Sequence, residues 1–255
     1  MLPHFRIKNL VQGQLKHSNS SDPIHTLEVN AVRFLGLEID NSLKWDIHIN
    51  NLSKKLTSTI FTLYSLRSLV HNSTLLLAYF GLFQSKLSYG VAFWGGSNSG
   101  MKRLLKLQKR AVRTIFFLGP CDSYKTYFIS EKILTLPCIY IFIVSQLTFK
   151  KIIQTVPKVH NHKTRGKDNS LPLTFRLTLF QKNIEFLASK IFNKLPSHIK
   201  EIHSFLLFKK TLKNWLLLNP FYSIQEFLNH SPWLIKFDNS VYFVYLFICL
   251  CISYI

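Results

Sequence analysis

The fold is decided by the stretch VRFLGLEIDNSLKWDIHINNLSKKL at residues 32–56, where the apolar pattern changes from that of a strand to that of a helix. Residues 25–29 and 32–39 are expected to be extended, and the second run is rich in β-forming side chains. Asn30 between them suits a turn, so we expect a β-hairpin. The turn-forming residues 40–42 end it. Beyond Trp45, apolar residues recur at steps of three, four and seven, which predicts one buried helix face. Its members are Ile49, Leu52, Leu56, Leu63, Leu66 and Val70.

A second helix is predicted over residues 74–89, with Ser73 as its N-cap. It is apolar on nearly all sides, so we expect it at the centre of a helical bundle. The glycine- and serine-rich residues 95–100 are expected to form a loop. Apolar periodicity, with Gly, Pro or Ser at the ends, predicts further helices at residues 101–117, 137–154, 174–194, 204–218 and 223–229.

The expected fold is therefore mainly α, a helical bundle with a small N-terminal β-hairpin and a separate apolar C-terminal tail. The expected order is a polar leader at 1–24, the hairpin and its turn at 25–50, the bundle at 51–118, a second helical region with a basic loop at 119–230, and the tail at 231–255. Residues 241–255 form an uncharged apolar run, shorter than the roughly 20 residues of a membrane-spanning helix. The sequence leaves open whether this run is a buried element, a membrane anchor or a segment foreign to the ancestral protein.

Charge defines the class of partner. Lys and Arg number 32 against 12 Asp and Glu, for a formal net charge of +20, and hydrophobic residues at 47% argue against wholesale disorder. The excess positive charges repel one another and attract polyanions, either nucleic acid or an anionic membrane surface.

Cysteine usage indicates the compartment. The four cysteines are too few and too scattered for a disulfide framework, and none has zinc-ligand spacing with histidines after it. Residues 1–20 lack the apolar core of a signal peptide. We therefore expect an intracellular protein, nuclear or cytoplasmic, with a membrane location as the alternative.

The predicted helix at 101–117 carries two opposed faces. Apolar residues occupy one side, and six cations with no acidic partner fall within an arc of about 120° at about 100° per residue. These cations are Lys102, Arg103, Lys106, Lys109, Arg110 and Arg113. Solvated faces normally mix signs, so an all-cationic stripe favours contact with a phosphate backbone; an ordinary solvated face and a membrane-surface helix are the alternatives.

A second basic cluster lies at residues 160–167 (HNHKTRGK), where Lys163, Arg165 and Lys167 suit either phosphate contact or simple exposure. His160 and His162 have no cysteine or carboxylate cluster nearby in the sequence, so we expect no metal site there.

Enzyme signatures are not found. None of the six aspartates adjoins another acid, which leaves no paired carboxylates for two Mg²⁺ ions, and Gly-rich phosphate loops and nucleophile elbows are missing. We expect no catalytic residue, metal or cofactor in these 255 residues.

Several short motifs, in one order over residues 25–230, resemble non-LTR (LINE-type) retrotransposon reverse transcriptases, those of arthropods most closely. The first is the run from Val32 to Asp40 followed by Leu43-Lys44-Trp45 and His48-Ile49, which is similar to the family's "FLG…ID…L.W..HI" segment. The others are LSYG at 87–90 with WG at 94–95, LQKRAVR at 107–113, ILTLP at 133–137, TR at 164–165, FNKLP at 192–196, FKKTLK at 208–213 and FYSIQEFL at 221–228.

The resemblance implies the end of the palm, the thumb and the region after it of an RNA-directed DNA polymerase. It makes Phe34, Leu35 and Gly36 the primer-grip turn and the basic helix a thumb-side nucleic-acid contact. The family's catalytic "ADD" motif would precede residue 25, and any Mg²⁺ would belong to that palm. The expected function is non-catalytic binding of RNA or DNA template-primer, with the remainder of the reverse transcriptase as a possible partner. The alternative is a membrane-associated basic protein anchored by the C-terminal tail. The resemblance ends near Asn229.

Overall fold

The structure is a computed structural model that describes residues 31–119, 122–155 and 184–230. Their fold is mainly α with one small antiparallel hairpin at the N-terminal side, which confirms the expected fold class. The chain divides into two compact units, Met1–Tyr140 and Ile141–Ile255. The predicted leader, basic loop and apolar tail lie outside the described residues.

The hairpin pairs β1 (Ala31–Phe34) with β2 (Leu37–Asp40), and Phe34 lies opposite Leu37. Its two-residue turn has positive φ at both positions, 47° at Leu35 and 80° at Gly36. That combination is typical of a type I′ turn, which matches the twist of the flanking strands and favours glycine. The prediction of one strand over residues 32–39 was therefore wrong, because Gly36 turns the chain inside that run. Residues 25–29 and Asn30 are outside the described part.

The connection to the first helix is organised by one carboxylate. Asp40 accepts hydrogen bonds from the backbone N–H of Lys44 at 2.9 Å and of Trp45 at 2.8 Å, and from the Ser42 hydroxyl at 2.9 Å. Burial works to raise the pKa of Asp40, but these hydrogen bonds outweigh it and hold the pKa below its ordinary value.

Helix α1 (Asp46–Leu66) follows, and its predicted apolar face is buried over most of its length. Leu66 is only half-buried, and Val70 lies beyond the helix end. The buried apolar residues of α1 are Ile49, Leu52, Leu56, Ile60 and Leu63.

The second helical run is α2 (Asn72–Ala78), a π-helical segment (Tyr79–Gln84) and α3 (Ser85–Ser88). Leu75, Tyr79, Phe83 and Leu87 are all fully buried at steps of four. Because a π-helical turn takes more residues than the 3.6 of an α-helix, steps of four stay on one side.

Two expectations about this run were wrong. Its N-cap is His71, whose Nδ1 accepts a hydrogen bond from the Ser73 N–H at 3.3 Å, so the helix begins two residues before the predicted start at Thr74. The run is also not buried on all sides, since the Leu77 side chain is 71% exposed. Leu77 and Leu82 are exposed, and Leu76 and Phe80 are half-buried.

A short helix, α4 (Val91–Trp94), leads to α5 (Asn98–Ile115). The Ser97 hydroxyl caps α5 by accepting a hydrogen bond from the Gly100 N–H at 3.4 Å. Residues 98–100 therefore form the first turn of this helix, where a loop was expected.

Two helices follow, α6 (Lys125–Ser130) and α7 (Leu136–Thr155). The sequence had not predicted α6, and its six residues are too short for a clear period. The prediction of a helix with Pro137 in its first turn is confirmed by α7.

Helices α1 and α5 pack side by side and run parallel, because their matching ends are neighbours. At the N-terminal end, a Cβ on Gly100 would collide with the Ile49 side chain. At the C-terminal end, the Arg67 guanidinium lies against the Phe117 ring. The residues from α2 to α4 connect the C-terminal end of α1 to the N-terminal end of α5, so that the two helices can run parallel.

The core of this unit includes one buried polar residue, Gln108, whose side chain is fully buried. Its amide donates to the Tyr79 hydroxyl at 3.0 Å and the Leu134 carbonyl at 2.8 Å, and its oxygen accepts from the Leu136 N–H at 2.7 Å. Gln108 thereby joins α5 to the π-helical segment and to the start of α7.

The second unit contains α8 (Ile184–Lys194), α9 (Ser197–Lys200), α10 (Phe205–Leu218) and α11 (Ile224–Asn229). Phe208 stacks on Phe149 with ring centroids 4.2 Å apart. The predicted helices at 204–218 and 223–229 are confirmed. The Ser223 hydroxyl caps α11 by accepting a hydrogen bond from the Glu226 N–H at 2.9 Å. The sequence suggested Ser204 as the cap of α10, but Ser204 makes no side-chain cap there. Of the helix predicted at 174–194, residues 184–194 are described and helical.

Candidate nucleic-acid interface

Helix α5 presents the cationic stripe, defined as Lys102, Arg103, Lys106, Lys109, Arg110 and Arg113, on the side away from the core. Its opposite side is buried through Leu104, Leu105, Ala111, Val112 and Ile115. The two-faced helix predicted from the sequence is therefore present. Lys102, Arg103, Lys106 and Arg110 are exposed, whereas Lys109 and Arg113 are half-buried.

The stripe has two edges with different neighbours. At about 100° per residue, Arg103 and Arg110 lie at the edge that faces α1, and Arg103 donates a hydrogen bond to the Asn50 side chain. Lys109 lies at the other edge and Arg113 further in. The Lys109 Nζ is 4.8 Å and the Arg113 Cζ 5.1 Å from the Tyr124 ring centroid. These are cation–π distances.

Three cations of the stripe are available for a ligand. Among the residues that the structure describes, the side chains of Lys102, Lys106 and Arg110 form no ion pair or hydrogen bond. At about 100° per residue, Lys102 lies near the edge away from α1, Lys106 in the middle and Arg110 near the α1-facing edge. The positive charge at the centre of this surface is therefore not neutralised by the neighbouring protein groups that are described.

Helix α1 contributes a second row beside the stripe, which we call the α1 ridge. Its members fall within an arc of about 80° at about 100° per residue, and all are exposed: Asn50, Lys54, Thr57, Phe61 and Tyr64. Because α1 and α5 are parallel and Asn50 meets Arg103, the ridge and the stripe lie along each other. Lys54 adds a cation to the surface.

An aromatic cluster closes the C-terminal end of this surface. The Arg67 guanidinium carbon lies 4.0 Å from the Tyr64 ring centroid and 4.9 Å from that of Phe117. The Phe61 side chain is 71% exposed and that of Phe117 57% exposed. The surface therefore combines a cationic length with aromatic rings open to solvent.

The sequence did not predict the roles of Lys54, Arg67 and Tyr124. Arg67 is distant along the chain from Phe117, and Tyr124 lies beyond the end of the helix whose Lys109 and Arg113 it contacts. One usable signal was present, since Phe61 and Tyr64 fall on the polar side of the predicted helix.

The predicted primer-grip residues lie at the hairpin tip. Phe34 is 44% and Leu35 74% exposed. The Tyr89 hydroxyl donates a hydrogen bond to the Leu35 carbonyl, and a Cβ on Gly90 would lie 2.7 Å from the Leu37 Cδ2. The segment at 87–90 therefore supports the tip. Tyr89 and Gly90 therefore hold the hairpin turn in place. The cationic stripe is held by different contacts, those with α1 and with Tyr124.

His48 joins the hairpin to α1. Its ring lies 6.3 Å from those of Trp45 and Trp94, between centroids, and its Nδ1 accepts from the Glu38 N–H at 3.5 Å. Burial lowers the pKa of His48, opposed by the charge of Glu38 and assisted by that of Lys55. These contacts give His48 a structural role. Asp40 also has a structural role, because its carboxylate holds the connection between the hairpin and α1.

Three predictions concern the second basic cluster, a metal site and a membrane-spanning segment. Lys163, Arg165, Lys167 and the histidines beside them lie outside the described residues. Within residues 31–119, 122–155 and 184–230, no group of three or more His, Cys, Asp or Glu side chains is placed to hold a metal ion. No helix in those ranges has the length and apolarity needed to cross a bilayer.

No family model, curated protein or solved structure matches this chain. The resemblance to non-LTR reverse transcriptases therefore stays a prediction from the motifs. The surface formed by the cationic stripe and the α1 ridge is independent of that resemblance.

Proposed function

We propose that this chain binds nucleic acid, with the phosphate backbone lying on the cationic stripe. The observation that carries the proposal is a group of three exposed cations, Lys102, Lys106 and Arg110, whose side chains form no ion pair or hydrogen bond with the described residues. Like charges one helical turn apart destabilise a helix. Phosphates remove that repulsion and release condensed counterions as they bind.

The dimensions of the stripe suit several consecutive phosphates. The 11 steps from Lys102 to Arg113 cover about 16 Å at about 1.5 Å per residue. At about 3.4 Å per nucleotide of one strand, this length matches about five phosphates. Contacts of this kind position a ligand without reading its sequence, so we expect sequence-tolerant binding.

The origin that fits this function is a non-catalytic part of a non-LTR-type reverse transcriptase, comprising its thumb and the region that follows. The order of motifs along residues 25–230 supports this origin. So does the contact between two of those motifs, since Tyr89 and Gly90 support the turn at Leu35 and Gly36. The proposed ligand is then template-primer RNA or DNA, the proposed protein partner is the remainder of the polymerase, and the compartment is the nucleus or cytoplasm.

A salt titration tests the proposal. Fluorescence anisotropy with labelled RNA and DNA should give an affinity whose logarithm falls linearly with the logarithm of salt concentration. About five phosphate contacts predict a slope of about −3.5 for single strands and about −4.5 for duplex DNA. An affinity for both that does not change with salt, or no binding at low salt, would contradict the proposal.

A further inference from the structure

We infer that the surface takes unpaired nucleotides, with phosphates on the cationic stripe and bases stacked on the exposed aromatic rings of the α1 ridge and on Phe117. This inference rests on the proposed function and narrows its ligand from nucleic acid in general to a single strand. The feature that supports it is the position of the cationic stripe beside the α1 ridge, which ends in the aromatic side chains of Phe61 and Tyr64.

The exposure of Phe61 is the first observation. Its side chain is 71% exposed on α1, on the side opposite the buried apolar face of that helix. A phenylalanine there contributes little to the folded core, because its ring remains in water. Tyr64, one turn further along the same ridge, is 53% exposed. Two neighbouring rings are therefore open to a flat ligand.

The second observation is that the rings of Tyr64 and Phe117 are held in place. The guanidinium of Arg67 contacts both the Tyr64 ring and the Phe117 ring, at 4.0 Å and 4.9 Å from their centroids. Such cation–π contacts restrict the side chains before any ligand arrives. A stacking surface that is already ordered binds with a smaller entropic cost.

The third observation is the relation of the two rows. The stripe and the ridge run along each other, tied by the hydrogen bond from Arg103 to Asn50 at one end and by Arg67 at the other. A single strand can place phosphates on one row and turn its bases toward the other. A duplex keeps its bases stacked inside and offers phosphates alone, so only a single strand gains from the rings.

The experiment compares the full chain with two matched variants. Phe61→Ala removes the most exposed ring of the ridge. Phe93→Ala is the control, because Phe93 is 62% exposed but lies on α4, outside both rows. Anisotropy is measured with oligodeoxythymidylate, oligouridylate and a DNA duplex of equal length. Base stacking on one aromatic ring predicts a loss of about 5- to 150-fold in single-strand affinity for Phe61→Ala, with duplex affinity unchanged. Phe93→Ala should leave both affinities unchanged.

A third variant tests whether a loss of binding comes from unfolding. Phe61→Trp keeps a stacking ring and should retain or strengthen single-strand binding, and melting temperatures should agree among wild type and variants, because Phe61 is mostly in water. An oligonucleotide with 2-aminopurine adds a direct readout, since stacking quenches its fluorescence in the wild type but not in Phe61→Ala.

The outcomes separate the inference from the function on which it rests. If the wild type binds neither ligand, both fail. If it binds both with the expected salt slope but Phe61→Ala leaves single-strand affinity unchanged, the inference is overturned and the proposed function stands. Equal losses for single strand and duplex overturn it too. So does loss of self-association in Phe61→Ala with nucleic-acid binding intact, which would assign the rings to a protein contact.

Discussion

Removal of Lys102, Lys106 and Arg110, three exposed cations of the stripe, should abolish most of the nucleic-acid binding at moderate salt. The variant is Lys102→Gln, Lys106→Gln and Arg110→Gln together. These side chains are exposed on α5 and make no ion pair or hydrogen bond with the described residues, so their loss should not unfold the protein. Arg103, Lys109 and Arg113 are kept, because they also contact Asn50 or Tyr124.

The size of the effect follows from counterion release. Three lost phosphate contacts reduce the salt slope by about 2.7 for duplex DNA and about 2.1 for a single strand. Near 0.1 M salt this corresponds to an affinity loss of about 500-fold for duplex and about 130-fold for a single strand, or about 3–4 kcal/mol of binding free energy. Near 1 M salt the variant and the wild type should converge.

The assay is the same salt titration, with a control of equal charge. Lys209→Gln, Lys210→Gln and Lys213→Gln together remove three exposed cations from α10, so both variants have a net charge of +17 from the original +20 (20 − 3). If the stripe is the binding surface, the α10 variant should keep most of the wild-type affinity and slope. An equal loss in both variants would show that total charge alone drives binding, and an unchanged α5 variant would refute the assignment of the stripe.

Two further predictions concern the elements that position this surface. Gly90→Ala should lower the free energy of unfolding by about 1–2 kcal/mol, because Gly90 has a φ of +62° and a Cβ there would lie 2.7 Å from the Leu37 side chain. Gly81→Ala is the control, since a Cβ at Gly81 would have nothing within 4 Å, and it should raise the free energy of unfolding by about 0.4–1 kcal/mol. Both are measured by urea titration. Acidification should lower the free energy of unfolding through His48. Folding lowers the pKa of His48, so the unfolded chain binds the proton at a higher pH than the folded chain does. Stability therefore falls as the pH drops through about 6.5, and it continues to fall until the pH is below the folded pKa. Urea midpoints at neutral and mildly acidic pH should therefore differ more in the wild type than in His48→Gln, and equal differences would remove His48 as the cause.

Patterns carried by one helix face could be predicted from the sequence. The buried face of α1 and the two sides of α5 follow from residues three and four apart, which adjoin in any α-helix whatever the rest of the chain does. The caps at Ser97 and Ser223 and the turn at Gly36 depend on specific local hydrogen bonds or φ values. Neither serine was predicted as a cap from the sequence. Gly36 was wrongly included within a strand, although its motif had been marked as a turn.

Features that depend on competition or on distant contacts could not be predicted. His71 replaces Ser73 as the cap of α2 because its ring nitrogen reaches the Ser73 N–H, a choice that spacing does not decide. The π-helical segment keeps Tyr79 and Phe83 on the buried side, which a pattern of period 3.6 does not reveal. The contact of Arg67 with Phe117 joins residues 50 positions apart (117 − 67) and exists only once α1 and α5 are parallel.

The parallel packing of α1 and α5 also makes the two ends of the surface unlike. Each helix has a macrodipole equivalent to roughly half a positive charge at its N-terminus and half a negative charge at its C-terminus. With two helices aligned, these partial charges add at each end, near Asn50 and Arg103 at one and near Tyr64 and Phe117 at the other. The Asp46 carboxylate in the first turn of α1 offsets part of the positive end. An anionic polymer would therefore be attracted more strongly at the end near Asn50 and Arg103 than at the end near Tyr64 and Phe117.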